Sequence, residues 1–402
     1  MSIVTPSFET SAHVAVPIVA PVVTTPRTPP RSTTRRRVLH VINGEHYAGA
    51  ERVQDLLALR LPRLGFQVLF ACLKPGEFAN SRQSHSSTIY DVPMWHRYDL
   101  LPAFKLAKLA RSEHFEIIHT HTPRSALVGS MAARMAGVPW VHHVHSPALA
   151  DTTHALRNRA NAIVERCLLR RADALVAVSQ SLGQYVEAQR LTPDRPRVIP
   201  NGVRTRGPLS SRQTPTTRWT LGAVALFRPR KGLEVLLHAM SSLAAEGYDV
   251  HLHAVGTFES PKYEAEIKCL AVELGLESRI EWRGFQRNVD GELASVDVFV
   301  LPSLFGEGMP MVLLEAMAGG VPVVASRVEG VEELIDDGAS GVIVEPGSAA
   351  SLTHGLRRIL DRQLDWQSLR EAALSRQVTE YSDLAMARRI ADLYREILDV
   401  RA

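Results

Sequence analysis

The chain has 402 residues, with 46 basic against 42 acidic side chains and a net charge of +4; this exceeds what one hydrophobic core ordinarily supports, so two domains are expected. No apolar run approaches the roughly 18 residues of a membrane span, and three scattered cysteines, Cys72, Cys167 and Cys269, exclude a disulfide framework and read as core residues in a reducing, cytoplasmic setting. The basic excess lies ahead of residue 200 and the remainder is net acidic, which suits an anionic partner for the first half, a phosphate-bearing acceptor or a membrane surface rather than nucleic acid.

Residues 1–37 are rich in Thr, Pro, Ser, Val and Ala and end in Arg35-Arg36-Arg37. With no basic n-region and Glu9 early, they do not read as a secretory signal. Prolines at 26, 29 and 30 forbid a regular element, and a disordered tail is expected. A short apolar run over 38–42, ending at Asn43-Gly44, reads as a buried parallel strand. A loop over 45–51 leads into a helix over 52–64, and a strand follows over 67–73. Residues 98–111 form an amphipathic helix with Lys105, Lys108 and Arg111 on its polar side. Lysines opposite Leu and Phe suit an anionic membrane surface; the same pattern suits a helix packed on its own core. A strand over 116–121 carries His119 and His121 at its end, a small-residue helix spans 125–136, and a strand over 140–144 ends at His145. A helix over 154–171 and a strand over 174–178 follow. Residues 198–203 read as the last strand and turn of an N-terminal domain, 38–203, and the polar stretch 204–218 as a linker.

Alternation then restarts. Strands are expected over 220–227, 250–255, 280–283, 296–301, 321–325 and 342–344, with helices over 232–243 and 263–274. The second domain runs over 219–380, and a final helix near 384–398 makes 381–402 a crossover back to the first domain. The fold class is α/β: two doubly wound parallel sheets facing a central cleft. In such sheets ligands bind beyond the C-terminal ends of the strands.

The most informative stretch is 303–326. Between Gly308 and Ser326 the single charged side chain is Glu315, in an otherwise apolar run. A helix that is hydrophobic all round is buried, so this carboxylate needs hydrogen-bond donors. Eight residues earlier Glu307 is bracketed by Gly306 and Gly308, which allow the backbone close to a ligand. Upstream, Arg228, Arg230 and Lys231 lie between a strand and a helix, where cations can hold an anionic ligand; Arg230 reads as solvated. His121 and His145 both close strands and so face the cleft, His121 on the acceptor side. Histidine there can exchange a proton with, or donate to, an acceptor hydroxyl. His119, His142 and His143 alternate with them and read as packing residues. No Asp-x-Asp pair follows a strand and no His/Cys/Asp set has ligand spacing, so no essential metal or other cofactor is expected. No G-x-G-x-x-G follows the first strand, against a nicotinamide enzyme.

The stretch 303–326 resembles the E-x7-E region of glycosyltransferase family 4, whose members are retaining, nucleotide-sugar-dependent transferases of the GT-B fold. The likeness continues through Glu329-Gly-Val-Glu-Glu-Leu-Ile335, Gly338 to Pro346, Val198-Ile-Pro-Asn-Gly-Val203, Arg228-Pro-Arg-Lys-Gly232 and Gly284-Phe285. It implies that Glu315 accepts from a ribose diol, that Glu307 faces the donor sugar, and that the backbone of Gly308 and Met309 and a helix start at Pro310 point at the donor. Lys231 and Arg228 would hold the diphosphate, although Ala225-Leu226 stands where the family has Gly-Arg. Ala48-Gly49-Ala50-Glu51-Arg52 resembles the family's glycine loop, with Gly49 approaching the donor. His145 matches a histidine near the reacting centre. The implied activity is transfer of a hexose-type sugar from a UDP- or GDP-sugar to an acceptor hydroxyl in polysaccharide or lipid-linked glycan synthesis. A sugar-nucleotide epimerase and a non-catalytic sugar-nucleotide-binding regulator are the alternatives.

Overall fold

The structure is a computed structural model and describes residues 35–96, 99–146, 166, 168–192 and 194–401. The expected helix over 154–171 lies almost wholly outside those residues, as do nearly all of the expected tail and Cys167. The first strand, β1, covers Arg36–Ile42. It therefore starts earlier than its apolar run, because Arg37 is held by the Glu113 carboxylate at 2.9 Å and Arg36 lies 3.8 Å from Glu116.

The first sheet continues with β2 (Phe66–Cys72), β3 (Ile89–Asp91), β4 (Ile117–Thr120), β5 (Trp140–Val144), β6 (Ala174–Ala177) and β7 (Arg197–Val198). It has seven strands in the order β3-β2-β1-β4-β5-β6-β7, and every pairing is parallel. The second sheet comprises β8 (Arg218–Val224), β9 (Asp249–Val255), β10 (Ile280–Gly284), β11 (Val298–Leu301), β12 (Val323–Ser326) and β13 (Val342–Val344). Its order is β10-β9-β8-β11-β12-β13, again parallel throughout. Strands buried on both faces need apolar residues at consecutive positions, and β4, β5, β11 and β12 are buried at every position.

Some expected elements shift. The strand over 198–203 shrinks to Arg197–Val198, since Pro200 has no N–H to give a ladder. Beyond it the chain joins the C-terminal helices instead: Val203 N–H donates to Tyr381 at 3.0 Å, and Asp383 N–H donates to Val203 at 2.9 Å. A Cβ at Gly202 would fall 2.4 Å from the Ser382 carbonyl oxygen, so only glycine permits this approach. The short helices Glu77–Ser81 and Gln180–Ala188 and strand β3 fill gaps that the apolar pattern left unassigned. Cys72 is buried as expected, but Cys269 is exposed, because its helix Pro261–Glu273 turns it away from Ile267 and Ala271.

The final helix, Asp383–Arg401, returns to the first half. Its Asp383 accepts from Arg60 at 2.8 Å, and its buried Tyr394 lies against β1 and β4. One apolar cluster runs through the first sheet, this helix and the helix Met311–Ala318, while a second fills the rest of the C-terminal half. The two halves thus share packing around the stretch that carries Glu307 and Glu315. No helix among the described residues is long and apolar enough to cross a membrane.

Candidate active site

Both strand orders reverse direction once, between β1 and β4 in the first sheet and between β8 and β11 in the second. Chains leaving adjacent strands in opposite directions open a crevice at their C-terminal ends. The loops that follow these four strands carry Gly49, His121, Lys231 and Glu307.

In the second half the loops after β8 and β11 are knitted together. Leu304 N–H donates to the Arg230 carbonyl at 2.8 Å, and Arg230 Nη1 donates to the Gly306 carbonyl at 2.9 Å. Gly232 takes φ +65°, and a Cβ there would lie 2.1 Å from the Pro302 carbonyl oxygen. Glycine after Lys231 is therefore required by the close approach. Held this way, Lys231 Nζ donates to Oε1 of Glu307, and Ser303 Oγ donates to the same oxygen at 2.8 Å. Glu307 is buried. Burial pushes its carboxyl upward, but the Lys231 charge and the hydrogen bonds from Lys231 and Ser303 outweigh that and hold it below the usual glutamate range. Burial lowers the Lys231 ammonium, with Glu307 opposing the shift.

Arg228 does not join this group. Its Nη1 lies 3.4 Å from Glu259. Arg230, expected to be solvated, instead holds the Phe305–Gly306 carbonyls and reaches within 4.0 Å of Glu307. The short turn Pro229–Lys231 brings Arg230 and Lys231 to Glu307 and leaves Arg228 with Glu259, which a reading of the run as a uniform basic patch misses.

Glu315 is buried on the helix Met311–Ala318. Its donors come from Arg52 in the first half, which contacts both carboxylate oxygens. Burial raises the Glu315 carboxyl, and the Arg52 charge only partly offsets it. Pro310 is the N-cap of this helix rather than its first helical residue, with ψ 112°. Gly49 faces Met311 across the halves, its notional Cβ 3.6 Å from Met311 Cγ. Met309 is tied to the domain junction through Asn201, whose Nδ2 donates to the Met309 carbonyl at 3.1 Å.

From the first half, His121 Nδ1 and His145 Nε2 share a hydrogen bond of 3.2 Å. His145 is partly exposed, and burial pushes its imidazole down to about 4. Burial and its histidine neighbours push His121 well below the ordinary range. Both rings are therefore neutral at physiological pH, able to donate from one nitrogen and accept at the other. A Cβ at Gly308 would lie 1.9 Å from the His145 carbonyl oxygen. The backbone of the glycine-flanked loop that carries Glu307 thus packs against the backbone of the strand-end histidine of the other half. A cavity of about 480 Å³ opens beside this contact, lined in part by Gln180, Ser181, Leu304, Phe305, Glu329 and Glu333. Its three acids are already engaged: Glu329 accepts from Gly306 N–H at 3.1 Å, Glu332 from Arg327, and Glu333 from Gln180 and Ser181 N–H at 2.6 and 2.9 Å.

This arrangement matches two sequence families that divide the chain between them. Residues 47–206 match Glycosyltransferase Family 4, and residues 210–376 match Glycosyl transferases group 1. The chain belongs to the family 4, group 1 type of glycosyltransferase. Among relatives, it is 28% identical over 324 residues to the putative glycosyltransferase EpsF of Bacillus subtilis, covering 76% of this chain and 83% of EpsF. It is 25% identical over 346 residues to UDP-Gal:alpha-D-GlcNAc-diphosphoundecaprenol alpha-1,3-galactosyltransferase of Escherichia coli, covering 81% and 88% of the two chains. Among solved structures, Anabaena HepE in complex with UDP and glucose superposes with a TM-score of 0.78 at 21% identity, over 90% of this chain and 100% of HepE. Sucrose-phosphate synthase from Thermosynechococcus elongatus does so at 0.76 and 22%, over 91% and 100%. The fold of this glycosyltransferase is GT-B.

Within the glycosyltransferase site, sequence reasoning missed Arg52, Ser303 and the true position of Arg230. Ser303 stands four residues before Glu307, a spacing that gave a usable signal. Arg52 gave none, because its partner lies 263 residues away. The packing reading of His119, His142 and His143 agrees with their burial, but their expected alternation with the cleft histidines does not hold for two of them. Residues two apart on a strand share a face, so His119 lies with His121 and His143 with His145; only His142 is on the opposite face, bonded to Thr120 at 2.8 Å.

Proposed function

We propose that the protein is a retaining transferase that moves a sugar from a UDP-sugar to the hydroxyl of a glycan or lipid-linked acceptor in cell-envelope polysaccharide synthesis. The observation that carries this reading is the seating of Gly308 on His145, which brings Glu307 and Lys231 to the end of β5. The UDP-bound HepE structures and the UDP-Gal donor in the name of the E. coli relative support the choice of nucleotide.

In this reading Glu307 accepts from hydroxyls of the donor sugar. Lys231 has three N–H donors and gives one to Glu307, leaving two for the departing diphosphate. The charge that develops on the leaving group is met by this ammonium inside a partly desolvated loop, where it acts more strongly than in water, and no divalent ion is needed on the diphosphate. The neutral His145 imidazole presents one nitrogen to the reacting centre while His121 holds the other side of the ring. Glu315 accepts from the ribose hydroxyls once Arg52 shares or yields it. Retention follows if the acceptor attacks from the face that the diphosphate leaves.

The acceptor side includes the helix Leu101–Ser112. Its inward face buries Ala103, Leu106, Ala107 and Ala110, so its helical pattern is satisfied by the core. Its outward face carries Lys105, Lys108 and Arg111 together with Leu101, 67% exposed, and Phe104, 59% exposed. Apolar and cationic side chains on one exposed face suit an anionic bilayer that presents a lipid-linked acceptor.

The test is a thermal-shift screen against UDP-, GDP- and ADP-sugars, followed by product analysis with the donor that binds. Formation of an α-linked product from an α-linked donor supports the reading. Epimerisation of the donor without acceptor, or no sugar-nucleotide binding at all, overturns it.

A further inference from the structure

Five histidines share one face of three adjacent parallel strands. In the register of the first sheet His40 is paired with His119, and Thr120 with His142, so that His121 falls beside His143 and His145 follows on the same side. His40, His119, His121 and His143 are all buried. The rings contact one another in series, with centroids 4.3 Å apart for His119 and His121 and 4.4 Å apart for His143 and His145. Transfer needs at most His145 and His121 from this set.

One member has an unsolved polar problem. His143 is fully buried, and neither of its ring nitrogens has a hydrogen-bond partner. A neutral imidazole always carries one N–H and one lone pair, and leaving such groups unsatisfied inside a protein is costly. Buried orphans of this kind call for an explanation, and a missing electrophile shared with its neighbours is one.

We infer that His121, His143 and His145 form a binding site for a divalent transition-metal ion of the zinc class. One nitrogen from each lies within 4.8 Å of the other two. The closest pair, His121 Nδ1 and His145 Nε2, is 3.2 Å apart. Tetrahedral zinc with bonds of about 2.0–2.1 Å sets its nitrogen ligands about 3.3 Å apart, so one edge of the tetrahedron is already in place. Rotation of His143 about its side-chain bonds closes the others. A His-x-His pair on one strand with a third histidine from the neighbouring strand supplies three ligands and leaves a fourth position. That position faces the cleft, because His145 is the partly exposed member, and it suits water or an acceptor oxygen. All three ligands are imidazoles, which select borderline transition ions over Mg²⁺ or Ca²⁺.

The surrounding residues already orient the ligand set. With Nδ1 on the metal, His121 keeps its proton on Nε2, which lies 3.1 Å from His40 Nδ1. His40 Nε2 then donates to the Tyr394 hydroxyl at 3.1 Å, and that hydroxyl donates to His119 Nδ1 at 2.6 Å. A metal-bound histidine characteristically donates its second N–H in this way, which fixes its tautomer. Coordination replaces the hydrogen bond between His121 and His145, all three rings stay neutral, and no proton is released. The inference does not depend on the transfer reaction.

The experiment is titration of full-length, tag-free protein with Co²⁺, read by visible absorption, and with Zn²⁺, read by calorimetry and thermal melting. The expected result is one tetrahedral Co²⁺ per chain, displaced by Zn²⁺, with a raised Tm in Zn²⁺. His143→Ala and His121→Ala should lose the band, and His142→Gln, on the opposite face, should keep it. X-ray absorption on the zinc-loaded wild-type protein should count three imidazoles, which keeps the test independent of whether a variant folds. No stoichiometric Co²⁺ band in the wild type, a band retained in His143→Ala, or fewer than three imidazoles overturns the site.

Discussion

Gly308 rests against the carbonyl oxygen of His145, so closely that a methyl group at residue 308 would come within 1.9 Å of it. The contact joins the carboxylate loop of the second half to the end of β5 in the first. Gly308→Ala must push the halves apart or bend the loop. Overpacking of this kind costs about 1–3 kcal/mol, and a displacement of roughly 1 Å at reacting groups can cost about 100-fold in rate. The variant should remain folded, melt several degrees lower and lose at least tenfold in turnover. Unchanged turnover would show that the contact does not set the spacing of the reacting groups.

The Lys231 and Glu307 pair predicts a pH dependence with a defined sign. Burial lowers the Lys231 ammonium below the ordinary lysine range, so rising pH strips its charge earlier than in an exposed lysine, and the rate should fall on the alkaline side below about 10.4. Lys231→Arg keeps a cation at every accessible pH; it should turn over more slowly but lose or shift that alkaline limb. An unshifted limb in the arginine variant would assign it to another group. Glu307 has the opposite sign. Its folded-state carboxyl is depressed, so its stabilising contribution is present above the ordinary glutamate range and is lost as pH falls through the depressed value.

Arg228 and Arg230 should separate cleanly under substitution. Arg228 pairs with an exposed Glu259, and exposed pairs contribute about 0–1 kcal/mol. Arg228→Ala should therefore change stability little and turnover severalfold at most. Arg230 holds two carbonyls of the loop that presents Glu307, so Arg230→Ala should raise KM for the donor and lower kcat together, by tenfold or more. Steady-state kinetics with the donor varied decides between them, and the reverse ranking would restore Arg228 as the diphosphate ligand.

The exposed face of the helix Leu101–Ser112 makes a separate prediction. Leu101→Asp together with Phe104→Asp removes two apolar groups already in solvent, so the fold should keep its Tm. Co-sedimentation with vesicles containing anionic lipid should drop severalfold, and the residual binding should vanish at high salt, where the cationic contribution is screened. Equal sedimentation of wild type and variant would count against a bilayer-facing role.

Fold and site differ in how much of them could be read from sequence. The doubly wound halves were readable because strands such as β11 and β12 are buried at every position and so write themselves as unbroken apolar runs. Lys231 and Glu307 were readable as residues, since charges flanked by glycine at strand ends have few structural uses. Their direct pairing was not, because it depends on two loops 76 residues apart meeting at the β8 and β11 switch. The histidine face was legible in period but misread: alternation along β4 and β5 separates His142 from the rest, and keeps His119 and His143 with the cleft histidines. Tyr394 and Arg52 left no local trace, since each finds its partner only after the final helix returns or the two halves meet.

Arg52 and Glu315 supply the last prediction. Glu315 is buried with its carboxyl raised by that burial, and Arg52, partly exposed, is its cation. Removing one member of a buried pair strands the other; the full penalty is about 3–5 kcal/mol, and Arg52's exposure reduces this to roughly 1–3 kcal/mol. Arg52→Ala should therefore lower stability in urea by that amount at neutral pH. The loss should shrink as the solution is acidified, because Glu315 can then take up a proton and be buried neutral. Glu315→Gln should be close to wild type in stability, having no charge to strand. If the carboxylate accepts from both ribose hydroxyls, Glu315→Gln should nonetheless weaken UDP binding about tenfold, while Arg52→Ala, which frees the carboxylate for the ribose, should not weaken it. Calorimetry with UDP on both variants reads the difference directly. Equal loss in the two would mean that Glu315 serves the junction between the halves and not the nucleotide.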